Sequence, residues 1–245
     1  MSKLLEIIDL DKSFGGIHAI NHLSFDVNEG EILGLIGPNG SGKSTCINLI
    51  TGVYIQDSGD IIYQGEHHLK KQSVPDRAFL GLGRTFQSPK PFTSLTVFDS
   101  VYTIAMLYCR SMKEARQRAE EILELVGFTD LANLLCGKLP IEKRKWLDMA
   151  RVLAINPKLL MLDECLAGLT PAEMQDSIAL VKKINETGVT VLFIEHVMSA
   201  VTKLCTRVVV LNEGKLLSEG DPQVVMKEEA VIKAYLGEDY KNVKN

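Results

Sequence analysis

The fold of this 245-residue chain is decided by the stretch Gly37-Pro38-Asn39-Gly40-Ser41-Gly42-Lys43-Ser44-Thr45. An apolar run, residues 31–36, comes directly before it, and a second apolar run, residues 46–50, comes directly after it. The stretch fits the pattern G-x-x-x-x-G-K-[ST], which requires a strand before the loop and a helix behind it. Its glycines let the backbone wrap so that N–H groups point inward at phosphate oxygens. The stretch, called the phosphate loop below, therefore predicts a strand–loop–helix unit that binds phosphate groups.

Within the phosphate loop, two side chains have predicted roles of their own. Lys43 is expected to neutralise the β- and γ-phosphates, and Ser44 to supply a hydroxyl to Mg²⁺. The following helix adds the favourable dipole of its N-terminus. All nine residues of the loop are predicted to contact a nucleoside triphosphate. The motif does not indicate which process the nucleotide drives.

A second motif joins a buried strand to two carboxylates. Four apolar residues, 159–162, are followed by Asp163 and Glu164. Ligands of parallel sheets bind at the carboxyl ends of the strands, where these acids are placed. Adjacent strand residues point to opposite sides, so the two acids are expected to differ in role. Asp163 is predicted to hold the Mg²⁺ shell and Glu164 to polarise the attacking water.

Two further polar side chains complete a predicted hydrolytic set. Gln87 follows an apolar stretch, and its amide is expected to reach Mg²⁺ or the attacking water. His196 follows the predicted strand 189–194, where it can donate to a γ-phosphate. An isolated glutamine or histidine is usually an ordinary surface residue, so the prediction depends on their order around the other two motifs.

The rest of the chain predicts an antiparallel lobe followed by a parallel sheet with crossover helices. Between residues 96 and 155 strand signals vanish, and residues 113–126 show helical amphipathic spacing, which predicts a helical insert. A Thr-Pro pair at residues 170–171 predicts a capped helix start. The predicted strands are residues 4–10, 22–27, 31–36, 60–63, 159–162, 189–194 and 207–211, and the other predicted helices are residues 146–153, 171–186 and 197–203.

Composition excludes several classes of protein. A net charge of -4 argues against a nucleic-acid binder with a broad basic face. Five scattered cysteines without a C-x-x-C pair argue against a metal ribbon or a disulfide framework and favour reduced thiols. Acidic residues interrupt the N-terminus, so no signal peptide is predicted, and no apolar run approaches the roughly 20 residues of a membrane span. A soluble chain is expected.

Taken together, these motifs resemble those of the ATP-binding subunits of ABC transporters, over essentially the whole chain. Phe14 matches the aromatic residue that stacks on adenine in that family. The segments that look most like branched-chain amino-acid importers, and among them the larger ATPase subunit, are residues 83–87, 95–101, 164–171, 194–196, 220–222 and 234–238.

This resemblance implies an α/β fold: a P-loop NTPase (RecA-like) core, an N-terminal antiparallel β lobe and an inserted α-helical subdomain. Residues 1–88 and 156–245 would form the core with its lobe, and residues 89–155 the helical subdomain, in one ABC ATPase domain. The implied cofactors are ATP and Mg²⁺. The implied partners are transmembrane permease subunits, a second ATPase subunit and, indirectly, an extracytoplasmic solute-binding protein. The implied location is the cytoplasmic face of the cell membrane.

One motif departs from the family pattern. The signature L-S-G-G-Q, which presses on the γ-phosphate of the opposite subunit in that family, aligns with residues 139–143, called the signature segment below. Pro140 replaces its serine, both glycines are absent, and Glu142 brings a negative charge near phosphate. At ~4 Å and an effective dielectric of ~20 such a repulsion is on the order of 4 kcal/mol before screening, and Lys143 offsets part of it. Two impaired sites are expected in a homodimer, so the sequence predicts a heterodimer.

Three functions are considered for a chain with these motifs. The first is an ATPase that drives import of a small solute, branched-chain or other amino acids. The second, suggested by the signature segment, is a nucleotide-binding regulatory subunit with little turnover. The third, a soluble ABC protein of DNA repair or translation, lacks the coiled coil, tandem cassette or basic face it needs. A kinase or GTPase is disfavoured by the Asp163–Glu164 pair and by the absence of N-K-x-D.

Overall fold

The computed structural model describes residues 2–86 and 92–236. The chain divides into two compact units. The first unit is Met1–Arg77 with Thr190–Asn245, and the second unit is Ala78–Val189. Within the described ranges, every helix is too short or too polar to cross a membrane.

One sheet of the first unit is antiparallel and has the strand order β2-β1-β4-β5. Leu5 of the second strand in that order pairs with Val27 on one side and with Tyr63 on the other, and all three are buried. The antiparallel lobe predicted from the sequence is therefore confirmed. Its strands are β1 Lys3–Phe14, β2 Ile17–Asn28, β4 Ser58–Tyr63 and β5 His67–His68.

The other strands of the first unit form a mainly parallel arrangement, in the order β10-β9-β3-β8. The central strand β3 pairs in parallel with both neighbours, and all five of its residues are buried, as is typical of interior parallel strands. The predicted parallel sheet is confirmed here. Its strands are β3 Ile32–Ile36, β8 Thr190–Ile194, β9 Arg207–Asn212 and β10 Lys215–Gly220.

Helix α1, which follows the phosphate loop, is fixed at its far end by a buried arginine. Arg77 is 2% exposed, and its guanidinium donates hydrogen bonds to the carbonyls of Leu49 and Ile50. These carbonyls lie in the last turn of the helix, where no partner exists within the helix itself. The helices that involve the first unit are α1 Lys43–Thr51, α2 Val74–Phe79 (which extends into the second unit), α7 Met198–Leu204, α8 Pro222–Val225 and α9 Glu229–Leu236, with a 3-10 turn at Leu69–Lys71.

Leaving aside residues 87–91, which the structure does not describe, the second unit contains two parallel strands and four long helices. The predicted helix start after Thr170 is confirmed, because the Thr170 and Glu173 side chains form a reciprocal capping box. Its strands are β6 Leu82–Arg84 and β7 Leu159–Asp163, and its helices are α3 Val97–Tyr108, α4 Met112–Leu125, α5 Ile141–Leu153 and α6 Pro171–Glu186, with 3-10 turns at Thr129–Leu131 and Cys136–Lys138.

Helix α5 begins five residues before the predicted start at residue 146, so that prediction was wrong at its N-terminal end. The basic run before residue 146 hides the helical pattern in the sequence. Lys145 is only 7% exposed and donates to the carbonyl of Ala167, while Arg144 donates to the carbonyl of Leu139. These two basic side chains donate hydrogen bonds to backbone carbonyls, although their charge is typical of solvent-exposed positions. The predicted division at residues 88/89 and 155/156 stays a prediction.

Candidate active site

The phosphate loop leaves the end of β3 and enters α1, as predicted. Gly37 has φ +148, and a Cβ on it would lie 2.2 Å from the carbonyl oxygen of Leu211. Gly42 has φ +108, and a Cβ there would lie 2.7 Å from the carbonyl oxygen of Ala19. Both positions need glycine because side chains rarely adopt this backbone and have no room. The loop is therefore held as a tight backbone cradle.

Two side chains of the loop are poised for an anion. Lys43 is 9% exposed, and its Nζ donates to the carbonyls of Gly37 (2.7 Å) and Pro38 (3.0 Å), which holds the ammonium group over the cradle. The hydroxyl of Ser41 is buried without a hydrogen-bond partner among the described residues. Leaving such a group unpaired costs about 1–3 kcal/mol. A phosphate oxygen would satisfy it, so the cradle fits the phosphates of ATP.

The outer part of the loop is open to solvent. Asn39, Gly40 and Ser44 are exposed, and Pro38 and Thr45 are partly exposed. Ser44 lies in the first turn of α1, where the helix dipole favours negative charge. The described residues hold no group of three or more His, Cys, Asp and Glu side chains that could bind a metal alone. Mg²⁺ at nucleotides is usually held by one or two carboxylates plus phosphates, which suits the hydroxyl of Ser44.

His196 leaves the same edge of the parallel sheet as the phosphate loop. Leu35 of β3 pairs with Ile194 of β8, and the chain reaches Gly37 and His196 two residues after these paired positions. The imidazole is exposed, and its Nδ1 lies 3.9 Å from Oε2 of the fully buried Glu195. The structure thus brings His196 to the sheet edge that carries the loop.

Phe14 ends β1, and two side chains contact its ring, one of which is anchored by an aspartate. The ring packs edge-on against Tyr54 at 5.0 Å, and Lys12 Nζ lies 5.3 Å from its centroid. Asp57 accepts hydrogen bonds from Lys12 Nζ (2.6 Å) and from the N–H of Ser13 (2.7 Å), and the Lys12 bond lowers the pKa of the Asp57 carboxyl. Phe14 remains 41% exposed, which leaves a face for a base. No sequence pattern indicates Tyr54 or Asp57 as supports of Phe14, because both lie about 40 residues away along the chain.

In the second unit, the two predicted acids stand at the end of β7. Asp163 is 7% exposed, and its Oδ2 accepts from Nη2 of Arg84 at 2.8 Å. Glu164 is partly exposed and adopts a left-handed backbone with φ +48. Such a conformation costs about 1–3 kcal/mol in a residue other than glycine, and strain of this kind clusters at functional sites. The strain supports the prediction that Glu164 has a functional role.

The sequence predicts no role for Arg84, although this residue lies in segment 83–87, which resembles the family. Its strand β6 is only three residues long and was not predicted, so nothing placed it beside β7. Gln87, the predicted Mg²⁺ or water contact, lies outside the described residues.

The signature segment forms the N-terminus of α5, as the resemblance implied. Pro140 is the N-cap residue and makes no side-chain cap. Glu142 is 8% exposed, and Lys143 Nζ lies 3.7 Å from its Oε1. The negative charge is therefore paired within the segment.

Comparisons with known proteins agree with this geometry. The family model described as "ABC transporter" matches residues 20–167, and the one described as "Branched-chain amino acid ATP-binding cassette transporter" matches residues 215–241. The high-affinity branched-chain amino acid transport ATP-binding protein BraF of Pseudomonas aeruginosa is 37% identical, with 96% of this chain and 98% of BraF covered. The lipopolysaccharide export system ATP-binding protein LptB of Haemophilus influenzae is 32% identical, with 97% and 99% covered.

A solved structure gives the same answer for the fold. The ADP conformation of MJ1267, an ATP-binding cassette of an ABC transporter, has a TM-score of 0.87 and 28% identity, and the match covers 97% of this chain and 100% of that one. The predicted P-loop NTPase core with its antiparallel lobe and helical insert is confirmed. Since one family model spans more than half of the chain and the loop is built for phosphate, the chain belongs to the ABC transporter family and is an ATP-hydrolysing, ATP-binding subunit of it.

Proposed function

We propose that the chain hydrolyses ATP to drive import of branched-chain or other amino acids through a membrane ABC transporter. One observation carries the choice of solute: residues 215–241 match the branched-chain amino acid cassette model, apart from the general ABC match. BraF, whose name states high-affinity branched-chain amino acid transport, supports the same solute class.

The proposed roles follow the chemistry of each side chain. The phosphate loop binds the triphosphate, with Lys43 opposite the β- and γ-phosphates, and Phe14 stacks on adenine. Ser44, Gln87 and Asp163 hold Mg²⁺, which when bound polarises the phosphates and neutralises their charge.

The remaining groups act on the attacking water. Glu164 accepts a proton from it as it attacks the γ-phosphorus. His196 donates a hydrogen bond to an equatorial oxygen of the γ-phosphate, over which the charge of the transition state is spread as the bond to the leaving oxygen breaks.

The proposed assembly contains transmembrane permease subunits, a second ATPase subunit and, indirectly, an extracytoplasmic solute-binding protein, and the chain lies at the cytoplasmic face of the membrane. No nucleic acid takes part, consistent with the net charge of -4. The second ATPase subunit is proposed to be a different chain, because the signature segment lacks the serine and glycines that the family uses on the opposite site.

The test is solute uptake by the native complex. The complex is purified through a tag on this chain, reconstituted into proteoliposomes with the binding protein that co-purifies with it or is encoded beside it, and supplied with ATP on the cassette side. ATP-dependent accumulation of radiolabelled leucine, isoleucine or valine is expected, and a Lys43→Ala complex serves as the matched control. Uptake of none of the twenty amino acids by a complex that hydrolyses ATP would contradict the proposal.

Two alternatives have an observation behind them. Similarity to LptB, whose name states lipopolysaccharide export, allows an export function. Release of lipid from the vesicle membrane without amino-acid uptake would select it. The degenerate signature segment allows a regulatory subunit with little turnover. A complex that transports at full rate with Glu164→Gln in this chain would select that alternative.

A further inference from the structure

Arg84 and Asp163 form an ion pair at the place where a metal-binding carboxylate is proposed. Nη2 of Arg84 lies 2.8 Å from Oδ2 of Asp163, and the two side chains are 12% and 10% exposed. Divalent cations such as Mg²⁺ take carboxylate oxygens as ligands. Here the carboxylate already has a partly buried positive partner from its own chain.

The backbone holds this pair in register. Arg84 of β6 pairs with Met161 of β7, so both strands end at the same edge. Beyond them, the N–H of Thr85 donates to the carbonyl of Met161 (3.0 Å), and the N–H of Asp163 donates to Oγ1 of Thr85 (3.3 Å). These bonds fix the two chain segments, so only the side chains are free to rearrange when a cation arrives.

We propose that Arg84 is a resident counter-ion of Asp163 that competes with the divalent cation for its carboxylate. This inference rests on the proposed role of Asp163. A charge-assisted hydrogen bond of this kind stabilises both partners more than a neutral one does. A cation binding Asp163 must give up or share that stabilisation, so Arg84 weakens cation binding and keeps the carboxylate neutralised in its absence.

The same arginine connects the carboxylate to the segment that leads to Gln87. The guanidinium of Arg84 lies 5.2 Å from the ring centroid of Phe86, and the N–H of Phe86 donates to Oδ2 of Asp148 in α5 at 3.3 Å. When the cation displaces Arg84, the side chain that contacts Phe86 moves.

The test measures how strongly Mg²⁺ assists ATP binding. The dissociation constant of ATP is determined in EDTA and in excess Mg²⁺, in a Glu164→Gln background that prevents hydrolysis. The ratio of the dissociation constant in EDTA to that in Mg²⁺ measures how much Mg²⁺ strengthens ATP binding. Replacing Arg84 by Gln is expected to raise this ratio about tenfold, which is the size of effect that loss of one close opposite charge has on a carboxylate. Arg84→Lys, which keeps the charge, is expected to keep the parent ratio.

Arg151→Gln is the matched control, because Arg151 pairs with Asp148 at 3.3 Å with similar burial, 18% and 12% exposed. It is expected to leave the ratio unchanged. Arg84→Met repeats the loss of charge with a side chain that fills the same space, should the glutamine variant not fold. A ratio that stays the same or falls in the folded Arg84→Gln or Arg84→Met variant would overturn the proposal that Arg84 competes with the cation. A parent chain whose ATP binding ignores Mg²⁺ overturns it as well, and also the proposed nucleotide site.

Discussion

The ammonium nitrogen of Lys143 lies 3.7 Å from Oε1 of Glu142. It also lies 3.6 Å from the centre of the Trp146 ring, one turn along α5. A cation between a carboxylate and an aromatic face is stabilised by both. The negative charge that the signature segment acquires is therefore compensated inside its own helix, and charge repulsion against a partner's phosphate is weaker than the sequence alone indicates.

The segment still lacks the groups that would bind a phosphate. Pro140 has neither an N–H nor a hydroxyl, and Ile141, 63% exposed, presents an apolar side chain. Impairment of the site that faces the signature segment is therefore attributed to missing hydrogen-bond donors more than to charge.

The shape of the phosphate loop predicts unequal costs for two glycines. Gly40 has φ +80 and open space around its Cα, so Gly40→Ala is expected to cost only the backbone strain, about 1–2 kcal/mol. Gly37→Ala adds a clash 2.2 Å from the carbonyl oxygen of Leu211 and is expected to cost about 3 kcal/mol or more. Urea unfolding measures both, and equal losses would refute the cradle as described.

Lys43 is expected to contribute to nucleotide affinity itself. Lys43→Ala removes a charge-assisted contact to phosphate worth about 1.5–3 kcal/mol, which corresponds to roughly tenfold to hundredfold in the ATP dissociation constant. Lys183, which donates in the same way to the carbonyl of Leu125 at 2.9 Å, is the control, and Lys183→Ala should leave the constant unchanged. An ATP affinity unaffected by Lys43→Ala would show that the loop does not bind phosphate.

Phe14 is expected to stack on adenine, so any aromatic residue should serve there. Phe14→Tyr and Phe14→Trp should change ATP affinity little, whereas Phe14→Ala should weaken it by about 1–3 kcal/mol. Ile17, the strand partner of Phe14, is 72% exposed and gives the control, Ile17→Ala. The affinities are measured by titration with a fluorescent ATP analogue. A loss of affinity in Ile17→Ala but not in Phe14→Ala would show that adenine binds elsewhere.

The thiol next to the phosphate loop is expected to be inert. Burial raises the pKa of Cys46 to about 12, so moving from pH 7 to pH 9 leaves almost no thiolate on it. All five cysteines lie in the described part of the chain, and Cys109 alone is not buried. Iodoacetamide at pH 8 should therefore modify Cys109 and leave ATP binding intact. Mass spectrometry identifies the labelled cysteines, and rapid labelling of Cys46 would contradict the packing of α1.

Local patterns account for what the sequence predicts well. The phosphate loop, the strand before Asp163 and the capped start of α6 each lie within one short window, where spacing and capping act directly. Long-range contacts account for what it misses. Arg84 meets Asp163 across 79 residues, and Lys12 meets Asp57 across 45. No pattern in a single sequence indicates such pairs.

Strand ends were misjudged for a related reason. β1 continues past the predicted end at residue 10 to Phe14, and β2 begins at Ile17, well before residue 22. Asp9 and His22 take left-handed backbones (φ +47 and +52) where the ladder shifts register, which breaks the alternation that a prediction follows. Backbone pairing carries the strands through this polar stretch, and it is this extension that brings Phe14 to the end of β1.

We propose above that Lys43 and Glu164 of this chain take part in ATP hydrolysis within a heterodimer, and that the signature segment impairs hydrolysis by the partner subunit. The most direct measurement replaces the catalytic glutamate in each ATPase subunit separately and assays ATP turnover of the reconstituted transporter. Glu164→Gln is expected to stop turnover while leaving ATP bound, because an amide cannot accept the proton of water. The equivalent change in the partner is expected to be milder. Equal losses from the two changes, or robust hydrolysis by this chain purified alone, would contradict the account.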